Sequence, residues 1–179
     1  MLDALTPAER LAFVPHDLFA TPFDEIAEIL GRSPEAAKML ASRARRRVQA
    51  ATPPDPDLAR QREVVDAFLA AARGGDLRGL LAVLDPEVTV RADAAAAPTG
   101  APRRVRGAAA VARQALGFSV RARFARPALV NGMVGIVVAP SDRVSTILTF
   151  TIKLRKITGI EILADPARLG GLHIADLAG

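Results

Sequence analysis

Between Gly31 and Ala50 six basic residues, Arg32, Lys38, Arg43, Arg45, Arg46 and Arg47, stand against one acid, Glu35. Residues 1–30 reverse the balance, with six acids and one base. The 179-residue chain carries a net charge of +5, and residues 31–50 form a dense positive stretch beside the acidic start. Guanidinium groups are permanently charged and present forked N–H donors that fit phosphate oxygens, a chemistry of anion binding rather than of proton transfer. Two readings are open for this cluster. It is a surface shaped to meet DNA, or it is a solvated face near a helix C-terminus, where cations suit the helix dipole.

The residue types for other chemistry are scarce. The sequence has no Cys, Tyr or Trp, and its two histidines, His16 and His173, stand near the start and in the tail. Asp66 and Asp93 are isolated carboxylates, better read as a solvated residue or a cap than as an acid–base pair. No catalytic residue, metal site or cofactor is expected, and the chain reads as a non-enzyme. The lack of Cys suits a reducing cytoplasm, and no stretch approaches the ~18 apolar residues of a membrane span. The expected address is cytoplasmic, with no membrane partner.

The basic cluster needs helices to position it. Thr6-Pro7-Ala8-Glu9 has the spacing of a capping box with proline at the first helical position, and Leu11, Val14 and Leu18 continue one face. Pro15 is expected to interrupt this helix. Phe23, Ile26, Ala27 and Leu30 follow the i, i+3, i+4, i+7 rule and stop at Gly31. Ser33 and Pro34 then open a third helix whose inward stripe is Ala37, Leu40, Ala41, Ala44 and Val48. Two amphipathic helices joined by a glycine turn make a helix-turn-helix, whose second helix enters the major groove. On that reading Glu35, Lys38, Met39 and Ser42 face base edges, while Ser33, Arg43, Arg45, Arg46 and Arg47 contact the DNA backbone.

Residues 51–57, "ATPPDPD", read as a stiff proline-rich linker between a domain at 1–50 and another at 58–179. The second domain opens with a helix over 58–73, with Val64, Val65, Phe68, Leu69 and Ala72 inward, and a shorter helix capped by Asp76. A strand over 87–93 and a helix over 108–116 follow. Segments near 120–130, 133–139, 144–154 and 156–164 then predict an antiparallel sheet, hence an α+β domain. Arg121, Arg123 and Arg126 fall on a solvated face of its first strand; Arg103, Arg104 and Arg106 fall in an exposed loop or strand edge.

Residues 5–48, "LTPAERLAFVPHDLFATPFDEIAEILGRSPEAAKMLASRARRRV", resemble region 4 of extracytoplasmic-function sigma factors. "REVVDAFLAAARGGDLRGLLAVLDPEVTVRAD", "RRVRGAAAVARQAL" and "ITGIEILADPARL" are similar to the SnoaL-like, NTF2-like extension of the sigma-J type. The resemblance implies a multidomain chain, an all-α helix-turn-helix followed by an α+β NTF2-like (SnoaL-like) cone domain. It implies −35-type promoter DNA and the RNA polymerase core as partners, with the extension acting in cis. It also implies a region 2 ahead of region 4; this chain begins just before region 4 and is expected to be an incomplete sigma factor.

Two motif remnants stand in the extension. Asp93 is followed by four alanines where the family tends to carry Asp-Gly-Gly-Gly-Lys, and Asp165, Pro166, Arg168 and Leu169 retain part of an Asn-Pro-Asp-Lys-Leu motif. These five residues are the expected regulatory motif. Phe68, Leu81, Phe118, Val130, Ile147 and Phe150 are of the kind that would line a cone-shaped pocket for a small apolar ligand, and core packing explains them equally well. An alternative reading therefore stands: an NTF2-like small-molecule sensor or enzyme with an attached helix-turn-helix.

Overall fold

The computed structural model describes residues 5–19, 21–51, 56–141 and 143–177, with side chains described for all of these except 17–19 and 48–51. The chain divides into two compact units, Met1–Pro53 and Pro54–Gly179. The linker expected at 51–57 falls largely outside the described residues, as do the side chains of Leu18 and Val48.

The first unit is three helices: α1 (Pro7–Phe19), α2 (Phe23–Leu30) and α3 (Pro34–Ala51). The capping box that opens α1 is complete. The Thr6 N–H donates to Glu9 Oε2 at 2.9 Å, and the Glu9 N–H donates to Thr6 Oγ1 at 3.3 Å. Contrary to the expected interruption, α1 runs through Pro15. Proline removes one backbone hydrogen bond, to the Leu11 carbonyl, and the turns on either side hold the helix across that gap. Its inward face also differs from the periodic reading, because Ala12 is fully buried and Leu11 is 48% exposed.

α2 ends at Gly31, whose φ of 60° places it in the left-handed region while its N–H caps the Ala27 and Glu28 carbonyls. A side chain there would be strained. Ser33 Oγ accepts from the Ala36 N–H at 3.2 Å and so caps α3. The core of the unit is made of small residues, Ala12, Ala27, Ala37 and Ala41, around Ile26, with Phe23, Leu30 and Leu40 at its margin. Small side chains permit close helix approach.

The second unit carries α4 (Leu58–Gly74), α5 (Leu77–Val83), β1 (Leu84–Ala92), β2 (Arg103–Arg106), α6 (Ala108–Gly117), α7 (Ser119–Ala122), β3 (Ala125–Val130), β4 (Met133–Val138), β5 (Thr146–Lys153), β6 (Lys156–Leu163), α8 (Pro166–Gly170) and β7 (Ile174–Ala175). The strands form one sheet in the order β2-β1-β6-β5-β4-β3-β7. The sheet is mixed rather than antiparallel, since β1 runs parallel to β6. A parallel pair requires a long crossover, here everything between Ala92 and Lys156.

The helices cover one face of this sheet. Val65, Phe68 and Leu69 of α4, Leu80 of α5 and Val111 of α6 pack on Val88, Val90, Ile136, Phe150 and Ile160. Gln61, buried in α4, accepts from the Val134 N–H at 3.1 Å and ties that helix to β4. On the opposite face Ala128, Val130, Val137 and Ile147 form a smaller cluster, covered by Leu169, Leu172 and Ile174. Side chains alternate across a strand, so neighbouring residues Ile136 and Val137 serve different clusters.

The segment near 120–130 is not one strand. α7 occupies its first part, with the Arg121 and Ala122 N–H groups turning back onto the Phe118 carbonyl, so Arg121 and Arg123 lie off the sheet. Arg126 alone of the three is on β3, paired with Asp176 at 2.6 Å.

Candidate functional site

The basic helix presents a continuous exposed stripe. At about 100° per residue, Glu35, Lys38, Met39, Ser42 and Arg46 return to one side of α3, opposite Ala37, Ala41 and Ala44. Glu35, Lys38, Met39 and Arg46 are exposed, Met39 at 57%, and Ser42 is half-buried. Arg43 is exposed beside them. The helix N-terminus that leads this stripe is fixed by the Gly31 turn and the Ser33 cap.

Arg45 does not belong to that surface. It is 8% exposed, because it follows Ala41 by four residues and so sits beside the buried stripe. The expectation that it contacts the DNA backbone is corrected on that ground. Arg47 is exposed, but its Nη1 donates to Glu9 Oε2 at 2.7 Å. Glu9 also accepts from the Thr6 backbone and hydroxyl, so one buried carboxylate closes the start of α1 and holds a guanidinium of α3. The Thr6 backbone N–H is the main cause that holds the Glu9 carboxyl below its ordinary value, outweighing burial, and the Thr6 hydroxyl and the charges of Arg47 and Arg43 add to it. The sequence marked Glu9 as half of a capping box. Its reach across 38 residues to Arg47 had no local signal.

In the second unit the two motif remnants meet. Asp93 follows β1, and its Oδ2 accepts from the Ala164 and Asp165 N–H groups at 3.0 Å each, while Oδ1 accepts from the Ala96 N–H at 2.8 Å. Arg168 approaches the same carboxylate at 3.9 Å. Burial pushes the Asp93 carboxyl up, but the three backbone donors and Arg168 outweigh it and hold the group below its ordinary value. Asp165 caps α8 by accepting from the Ala167 and Arg168 N–H groups at 3.0 Å, with Pro166 at the helix start and Leu169 on the outer cluster. Each of the five residues thus has an identified contact or place. The alanines after Asp93 form turns without positive φ.

A cavity of about 480 Å³ lies between α4, α6, α7 and the covered face of the sheet. Phe68 and Phe118 line it, as expected. Phe150 instead packs edge-on against Phe68 with ring centroids 5.5 Å apart, Val130 and Ile147 belong to the opposite face, and Leu81 is exposed. Asp66 pairs with Arg62 at 3.5 Å on the surface of α4 and does not line the cavity. Gln114, which the sequence reading passed over, does. Its only sequence signal was an amide in an otherwise alanine-rich helix.

Residues 1–48 match the family model described as "Sigma-70, region 4". The ECF RNA polymerase sigma factor SigJ of Mycobacterium tuberculosis (strain ATCC 25618 / H37Rv) is 38% identical over 186 residues, covering 96% of this chain and 59% of SigJ. The chain is similar over nearly its whole length to ECF sigma factors, and its first unit matches sigma-70 region 4. The probable ECF RNA polymerase sigma factor SigI of M. tuberculosis (strain CDC 1551 / Oshkosh) is similar at 32% identity, over 100% of this chain and 60% of SigI. The crystal structure of M. tuberculosis SigJ superposes with a TM-score of 0.53 at 37% identity, covering 95% of this chain and 63% of that one. The chain spans about three-fifths of the length of the curated relatives it matches. Its region 4 match contains the helix-turn-helix and all of the exposed stripe on α3, and the α+β unit follows it. No described helix is long and apolar enough to cross a membrane.

Proposed function

We propose that the first unit is a −35-type promoter reader that also contacts the RNA polymerase core, and that the second unit tunes this activity in cis. The observation that carries the reading is the exposed stripe of α3 within a region 4 match. Glu35, Lys38, Met39 and Ser42 face base edges in the major groove; Ser33, Arg43 and Arg46 contact phosphates. Arg47, steadied by Glu9, is a pre-positioned phosphate contact. The functional division is residues 1–50 for DNA and polymerase, 51–57 as connection, and 58–179 as the regulatory NTF2-like unit, which holds a small ligand in its cavity. The Asp93 and Asp165 junction is the regulatory motif of that unit. The protein acts by binding and regulation in the cytoplasm rather than by catalysis.

Fluorescence anisotropy on a labelled promoter duplex tests the assigned face. The Arg43→Glu/Arg46→Glu double variant is expected to weaken binding at least about tenfold, since two phosphate contacts become repulsions. Unchanged binding by a folded double variant would remove α3 from the interface.

A further inference from the structure

The cavity of the second unit has an apolar body with a short polar inventory. Phe68, Leu69, Ile136 and Ile160 supply its walls, and its volume falls within the ~300–1,000 Å³ of small-molecule sites. Within it stands Gln114, whose Oε1 is buried without a hydrogen-bond partner among the described residues. A buried, unanswered acceptor is costly and rare in folded proteins, so a donor brought into the cavity beside the Gln114 side chain would relieve that cost. Two exposed arginines, Arg103 of β2 and Arg121 of α7, also line the cavity. Neither has an ion pair among the described residues, and no described acidic residue joins them in the lining. Hence the wall is apolar, the buried polar atom is an acceptor, and the exposed charges are cationic.

We infer that the cavity binds an amphipathic organic acid: an apolar chain or ring system, a hydroxyl or N–H group that donates to Gln114 Oε1, and a carboxylate held by Arg103 and Arg121. Each part answers one feature. The apolar body replaces water along the walls, the donor satisfies the carboxamide oxygen, and the carboxylate takes forked, charge-assisted hydrogen bonds. A neutral hydrocarbon would leave both the amide and the arginines unanswered; a small inorganic anion would leave the walls wet. The inference rests on the reading of the cavity as a ligand site and gives that ligand a chemical class.

Calorimetric titration of the full chain with three probes tests it: 3-hydroxydecanoate, its uncharged methyl ester, and decanoate, which lacks the hydroxyl. The hydroxy acid should bind saturably, with the ester and decanoate each weaker by roughly tenfold. The Arg103→Gln/Arg121→Gln variant should lose the preference for acid over ester while keeping the ester's affinity, which also shows that it is folded. Gln114→Leu should lose the preference for hydroxy acid over decanoate and still bind decanoate. Equal binding of acid and ester by the unaltered chain would overturn the anionic class while leaving a ligand cavity in place. Failure of all three probes to bind would overturn both the class and the cavity's role, with water the remaining partner for Gln114.

Discussion

Single residues decide more here than their types suggest. Arg45 and Arg46 are adjacent and chemically identical, yet one is buried beside Ala41 and the other is exposed, because 100° of helix rotation separates them. A count of arginines cannot make that distinction; the buried stripe, once its edge is drawn at i+4 from Ala41, can. Asp93 is the converse case. Its sequence context marked a motif remnant, but two of the three backbone donors it collects, Ala164 and Asp165, come from a distant loop that only the fold brings to it. Asp93→Ala would leave those N–H groups without their acceptor and should lower the stability of the second unit by about 2 kcal/mol in urea unfolding, with Asp93→Asn intermediate. The pH dependence follows from the lowered carboxyl pKa. The contribution is fully present above the ordinary aspartate value of about 4 and is lost as pH falls through the lower folded value. Unfolding curves of the unaltered chain and Asp93→Asn should therefore draw together as pH falls below about 4 and converge below the lower folded value.

Elements were legible where periodicity and caps agreed. The box at Thr6 and Glu9, the Gly31 stop, the Ser33 and Asp76 caps and the inward face of α4 all follow from spacing that local hydrogen bonds enforce. The failures occurred where a local pattern competed with a longer-range constraint. "FSVRARF" alternates like a strand, but its first part turns back as α7 before β3 begins. The parallel pairing of β1 with β6 has no local signature at all. Pro15 predicts an interruption, yet α1 continues through it at the cost of a hydrogen bond. Pro15→Ala should restore that bond and raise the stability of the first unit by about 2 kcal/mol, read as an upward shift of its thermal transition. The β5–β6 turn offers a second test, since Leu154 and Arg155 both adopt left-handed φ, 51° and 60°, between paired strands. Leu154→Asn suits that conformation and removes an exposed apolar side chain; a gain of about 0.5–1 kcal/mol in chemical denaturation is expected.

At the scale of the molecule, two units carry different cargoes of side chains. The first has a small alanine-rich core and a concentrated basic face; the second has a larger core around a mixed sheet and a cavity with one unanswered acceptor. The fold class was legible because helices came first and β-rich segments after them. The exposed stripe of α3 follows from its helical period, with Arg45 buried at its edge; the bond of Arg47 to Glu9 has no such local signal. The cavity's polar lining was not legible, because no local periodicity signals that Arg103 of β2, Gln114 of α6 and Arg121 of α7 line one cavity. The central claim is that α3 meets duplex DNA through its exposed cations, and the salt dependence of binding tests it most directly. Anisotropy titrations of a −35-type duplex across a series of salt concentrations should give a log–log slope that is clearly negative, shallower by about 1 for each of Arg43→Ala and Arg46→Ala. A slope unaffected by either substitution, or no binding at low salt with the polymerase core present, would contradict the account.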